Sequence, residues 1–216
     1  MSSPSSEARS SENVFSEDVI NKVVNCTLCV NSLEFHSDSE AMKDMRRRNC
    51  ENTNLQGPVV NDVRVVYLAE TPPHINRHIY RLDTPVAKGS QSLAGIILKD
   101  LELRSELDPK WNANCRRGSL EEKKKLLQML KSKGILILDC CHCYTGIDKS
   151  SRRRKYVRKC YDNNSVKILK GIVKNRNVEV RACYYNSRRM VERKNSGFEK
   201  TGDSNGVTSW RIMNER

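Results

Sequence analysis

Glu70 and Thr71 close an apolar, β-branched run and precede two prolines, in Val63-Arg-Val-Val-Tyr-Leu-Ala-Glu-Thr-Pro-Pro73. The prolines forbid a helix and stiffen the loop. Polar groups fixed there stand where open α/β sheets hold ligands. A second apolar run, Ile135-Leu-Ile-Leu-Asp139, ends in Asp139-Cys140-Cys141-His142-Cys143-Tyr144. Asp139 can accept a hydrogen bond from a ligand amide or hold an imidazole; it can equally be a strand-end aspartate. Cys26 and Cys29 have the spacing of a metal knuckle, and Cys143 and Cys160 can complete a four-sulfur set for zinc or an iron–sulfur cluster. Plain core thiols are the competing reading. His74 and His78 read as loop histidines. The run Ser150-Ser-Arg-Arg-Arg-Lys-Tyr-Val-Arg-Lys159 places Arg152, Arg153, Arg154, Lys155 and Arg158 where they can track phosphates, with Arg188, Arg189, Arg193 and Lys194 adding to the surface. Tyr144, Tyr156, Tyr184 and Tyr185 are available to stack on bases. The bland reading of such a run is a solvated helix face.

These residues need elements to position them. The two apolar runs read as buried strands, Val63–Leu68 and Ile135–Asp139. Ser119-Leu-Glu-Glu122 is a capping box that opens a helix with Leu120, Leu126, Leu127 and Leu130 inward. Gly134 ends that helix and feeds the second strand. Ser16 caps a short helix carrying Val19, Ile20, Val23 and Val24. Glu40–Arg48 reads as a short polar helix, Asn49–Asp62 as a loop and Leu93–Leu103 as a helix with a core-facing stripe. Residues 150–174 are helical in pattern. Val178–Cys183 reads as a third strand, and Val207–Met213 as an edge strand. Alternating strands and helices predict a three-layer α/β/α fold around a mostly parallel sheet of about four strands. The expected organisation is a Ser-rich disordered tail over 1–15, one α/β domain over 16–195 and a polar segment over 196–216.

The chain has 216 residues and a formal net charge of +13, an excess that favours a polyanionic partner, nucleic acid first. No apolar stretch reaches membrane-spanning length. The start of the chain lacks a secretory signal, and its nine cysteines are an odd number, so an intracellular, reducing compartment is expected. No P-loop, dinucleotide glycine fingerprint or Gly-x-Ser-x-Gly elbow is present. That argues against nucleotide hydrolysis, Rossmann redox chemistry and serine esterase chemistry.

From Asp62 to Tyr184 the pattern resembles the uracil-DNA glycosylase superfamily. The resemblance rests on the strand Val65-Val-Tyr-Leu-Ala-Glu-Thr-Pro-Pro73, the helix after it, the helix–Gly–strand unit ending in Asp139, the basic helix and a further strand. It implies a DNA-repair hydrolase that excises a damaged base from DNA, RNA being the less expected partner; a monomer is expected. Glu70 would position the attacking water, Thr71 would lie by the base and its deoxyribose, and Asp139 and Tyr144 would contact the base. Cys26, Cys29, Cys143 and Cys160 resemble the four cysteines of iron–sulfur members. The chain departs from the family where Ala69 replaces the usual Gly and Thr71 follows the acid. Tyr184-Tyr-Asn-Ser-Arg-Arg189 also stands where the family carries a His-Pro-Ser-type loop. Two alternatives follow: an inactive nucleic-acid-binding protein of the same fold, or a Cys-ligated metal-containing interaction module.

Overall fold

The computed structural model describes residues 13–28, 39–72, 78–87, 91–103, 118–144, 151–174, 176–192, 197–204 and 206–212, without the side chains of 151–153, 186 and 212. The serine-rich segment 1–12 lies outside the described residues, as do His74, Cys29, Arg193 and Lys194. Val14 and Phe15, within the stretch expected to be a tail, are buried in the core.

Two helices build one flank. In α1, Glu17–Val24, the Ser16 hydroxyl accepts from the Val19 amide, and Ile20, Val23 and Val24 are buried. Helix α2, Glu40–Gln56, runs well past the expected Arg48. Its buried residues Met42, Met45, Arg46, Asn49, Cys50 and Thr53 recur every three or four positions, so the face is helical although half of it is polar. Asn54 fixes the neighbouring chain, accepting from the Phe15 amide at 2.9 Å and donating to its carbonyl at 2.8 Å.

Strand β1, Val65–Ala69, leads through the cleft loop to α3, Leu93–Asp100, capped by Ser92. Helix α4, Leu120–Ser132, opens with the expected capping box and delivers the chain to β2, Ile135–Asp139. Gly134 makes that junction at φ 69°, and a Cβ there would lie 2.2 Å from the Asp62 carbonyl oxygen. The basic helix α5, Ser151–Cys160, continues through a π turn, Tyr161–Ser165, into α6, Val166–Val173. Strand β3, Glu179–Ala182, is followed by α7, Tyr185–Val191, and by a hairpin of β4, Phe198–Ser204, and β5, Val207–Ile212.

The protein is an α/β protein whose five described strands form one mixed sheet in the order β2-β1-β3-β5-β4. β1 pairs in parallel with both β2 and β3, whereas β5 pairs antiparallel with β3 and with β4. The expectation of a mostly parallel sheet of about four strands is corrected here. The chain beyond residue 195, expected to be a polar segment with one edge strand, returns as a hairpin. Its second strand, with Trp210 buried, lies inside the sheet and its first forms the edge.

Candidate functional site

The register pairs Ala69 of β1 with Asp139 of β2. Both strands point the same way, so the residues at their carboxyl ends emerge side by side. The Cys140 amide donates to Ala69 O at 2.8 Å and the Cys141 amide to Glu70 O at 3.0 Å, extending the pairing past the strand ends. Glu70, Thr71 and Asp139 line one cleft of about 640 Å³, the size of a small-ligand site. Its other walls include Pro72, His78, Thr84, Val86, Lys123 and Tyr184.

Asp139 holds an imidazole, one of the two roles expected of it. His78 Nε2 stands 3.2 Å from Asp139 Oδ2, and both side chains are buried. The segment bearing His78 is stapled to the α4–β2 unit. Lys123 Nζ donates to His78 O at 3.2 Å, to Thr84 O at 2.9 Å and to Thr84 Oγ1 at 3.2 Å. The Ile137 amide donates to the Tyr80 hydroxyl oxygen at 2.8 Å, which satisfies a backbone group on an edge strand. Arg81 is tied to Asp83, whose carboxyl is held below its usual range by that bond. Burial brings the Lys123 ammonium down to about 8.

Sequence reasoning missed Lys123 and gave His78 no role in the cleft. Lys123 left a signal: it precedes Leu126 and Leu127 by three and four residues, so it lies on the apolar stripe of α4. The partner of His78 is 61 residues away in sequence, and no local pattern announces it.

Other expected site residues are placed as follows. Tyr144 is buried and is not among the residues lining the cleft; Tyr184 takes a place on that wall. Arg154, Lys155 and Arg158 are exposed on α5, with Arg158 3.9 Å from Asp162. Arg152 and Arg153 belong to the same helix, and their side chains lie outside the described residues. α5 packs on α7. There Tyr185 is 62% exposed and Arg189 stacks over its ring at 5.4 Å.

Three of the four expected metal-ligating cysteines come together from distant parts of the chain. One amide nitrogen, Asn164 Nδ2, lies 3.5 Å from Cys26 Sγ and 3.7 Å from Cys160 Sγ. Arg46, 1% exposed, donates through Nη1 to Cys26 O at 2.8 Å and to Cys143 Sγ at 3.8 Å. Cys141 hydrogen-bonds to Cys143 and Cys160. Burial raises the Cys26 thiol, and Cys141 is pushed well up chiefly by those thiol hydrogen bonds, so both are neutral thiols in this arrangement. Among the described residues no three His, Cys, Asp or Glu side chains are arranged to hold a metal ion. The donor set, all sulfur with N–H groups aimed at it, has the chemistry that soft metals and iron–sulfur clusters take. Cys29, the remaining expected donor, lies outside the described residues.

Comparison of the chain with protein-family models, with curated proteins and with solved structures finds no match.

Proposed function

We propose that this chain binds DNA and hydrolyses the N-glycosidic bond of a damaged base, in the manner of the uracil-DNA glycosylase superfamily. The observation that carries the reading is the in-register ending of β1 and β2, which brings Glu70 and Asp139 into one cleft. In the proposed reaction Glu70 orients a water for attack on C1′ and takes its proton. The bond from C1′ to the base nitrogen breaks, and its electron pair leaves with the base. A base paired in duplex DNA has to be flipped out to reach such a cleft. The exposed cations of α5, with α7 beside it, supply a surface for phosphates. A three-layer arrangement with helices on both faces, a monomeric state and an intracellular location belong to this reading. In this reading Cys26, Cys29, Cys143 and Cys160 would hold zinc or an iron–sulfur cluster.

Release of free uracil from a labelled oligonucleotide tests the reading. We expect release by the native chain and at least about a 100-fold slower rate for Glu70→Ala. Release no faster than that of the variant sinks it.

One observation favours a second reading, a DNA-binding protein without catalysis. Helix α7, Tyr185–Val191, falls where the resemblance would put the family's late loop, and its sequence contains neither His nor Pro to stabilise a departing base. That protein binds DNA in a salt-dependent way and releases no base.

A further inference from the structure

We infer that a groove between α1 and α6 is a docking site for an acidic segment of a partner protein. The segment seats one bulky apolar side chain against Gly171 and sets carboxylates beside Lys22 and Lys167. The groove shares no residue with the cleft, so the inference stands apart from the glycosylase reading.

Gly171 is a glycine that the fold itself does not require. It stands inside α6, which Lys174 closes, so it is not a helix stop. Its φ is not positive. A Cβ built on it would meet no heavy atom of the described residues within 4 Å beyond its own stretch of helix. A glycine inside a helix gives up stability relative to alanine. Its use is to let another group approach the backbone closely. No described part of this chain does so at Gly171, which instead lines an open groove of about 590 Å³.

The groove has an apolar floor and a cationic rim. Val14, Val23, Val60, Ile168 and Ile172 form the floor and belong to the core, so their positions are fixed by packing. Lys22 on α1 and Lys167 on α6 are exposed and line the groove. Lys167 lies one turn before Gly171 on the same face of the helix. Among the described residues no carboxylate lines the groove. Glu17 of α1 faces Arg47 at 3.3 Å, and Asp162 of the π turn faces Arg158 at 3.9 Å, so both are engaged with other cations.

This combination selects the occupant. A phosphate backbone would leave the apolar floor unfilled, and two cations are too few to track it. A fatty chain would lie open to water along the side where Lys22, Lys167 and Gly171 are exposed, whereas small-molecule sites enclose most of their ligand. A peptide brings an apolar anchor and carboxylates in one short segment, and a few such anchors carry most of the energy of a protein interface. Acidic flanks also suit a chain of net charge +13, which draws anionic partners.

Phage display of random peptides of about 12 residues on the full chain tests the inference. We expect the selected peptides to share a bulky apolar residue with at least two Asp or Glu about one helical turn or less away. The strongest of them, labelled with fluorescein, is then measured by anisotropy. Gly171→Trp, which fills the groove, should weaken its binding at least about tenfold. Lys22→Glu combined with Lys167→Glu should weaken it as much, and this pair decides the matter if Gly171→Trp fails to fold. Gly171→Ala should unfold at a higher temperature than the native chain, because the glycine serves the occupant and not the helix. Selected peptides without acidic residues, no selected peptide, equal binding by the native chain and the groove variants, or a lower unfolding temperature for Gly171→Ala overturns the inference. A native dimer in sedimentation that Gly171→Trp dissociates gives the groove to a second copy and overturns it too.

Discussion

The Asp139–His78 contact, 3.2 Å long, joins the end of β2 to the segment that follows the cleft loop. Asp139 is fixed by the end of β2, and His78 by a segment whose carbonyls are gripped by the buried Lys123 ammonium. Replacing Lys123 by Met leaves those carbonyls without their donor, and we expect a loss of about 1–3 kcal/mol in urea unfolding at neutral pH. The same lysine gives a pH signature. Its folded value of about 8 lies below the ordinary 10.5, so the folded state binds fewer protons than the unfolded chain between those limits. The contribution of Lys123 to stability therefore rises as pH increases from about 8 to 10.5 and is flat well below that window. Subtracting the Lys123→Met stability from that of the native chain across about pH 7 to 11 should show this climb; a difference that falls with pH contradicts it. Tyr80→Phe removes the acceptor for the Ile137 amide and should cost about 1 kcal/mol, read from the midpoint of the same unfolding transition.

At the scale of elements, two junctions aim the strand end that carries Asp139. Gly134 turns the chain from α4 into β2 with a positive φ and with the Asp62 carbonyl against its α-carbon. Gly134→Ala meets both the conformational penalty and a backbone clash, and we expect it to lose more than about 2 kcal/mol in thermal or urea unfolding. Beyond β2, the Ser165 hydroxyl in the π turn lies 2.9 Å from Asp139 O, 3.0 Å from Cys140 O and 3.2 Å from His142 Nε2. Ser165→Ala should therefore destabilise by about 1–3 kcal/mol and raise amide exchange at Cys140 and Cys141.

Features governed by short-range rules are legible in the sequence. The Ser119 capping box, the glycine at 134 and the runs ending in Glu70 and Asp139 each announce themselves within a few residues. Helix α2 extends beyond its sequence signal because Asn49, Asn52, Thr53 and Asn54 look like turn residues. Within the fold, Thr53 bonds back to the Asn49 carbonyl and Asn54 holds the chain at Phe15. Strand β4 escapes detection because Phe-Glu-Lys-Thr-Gly-Asp-Ser is almost wholly exposed, as an edge allows. The His78–Asp139 contact and the gathering of Cys26, Cys143 and Cys160 depend on the folded chain, which no local pattern encodes.

At the scale of the whole molecule, the excess of positive charge acts through surface rather than fold. Arg154, Lys155 and Arg158 lie on the exposed face of α5, whose opposite side buries Val157 and Cys160. If these cations meet phosphates, replacing all three by Ala should flatten the dependence of log affinity on log salt by about 0.9 for each phosphate no longer neutralised. Fluorescence anisotropy with a labelled duplex measures this, and an unchanged slope removes α5 from the interface. The sheet order carries a consequence for how the chain is made. β4 leaves the ribosome before β5, yet β3 must wait for β5. During that interval the nascent chain holds an open strand beside a hairpin arm of the wrong identity, and the polar, solvent-loving face of β4 makes it a poor suitor.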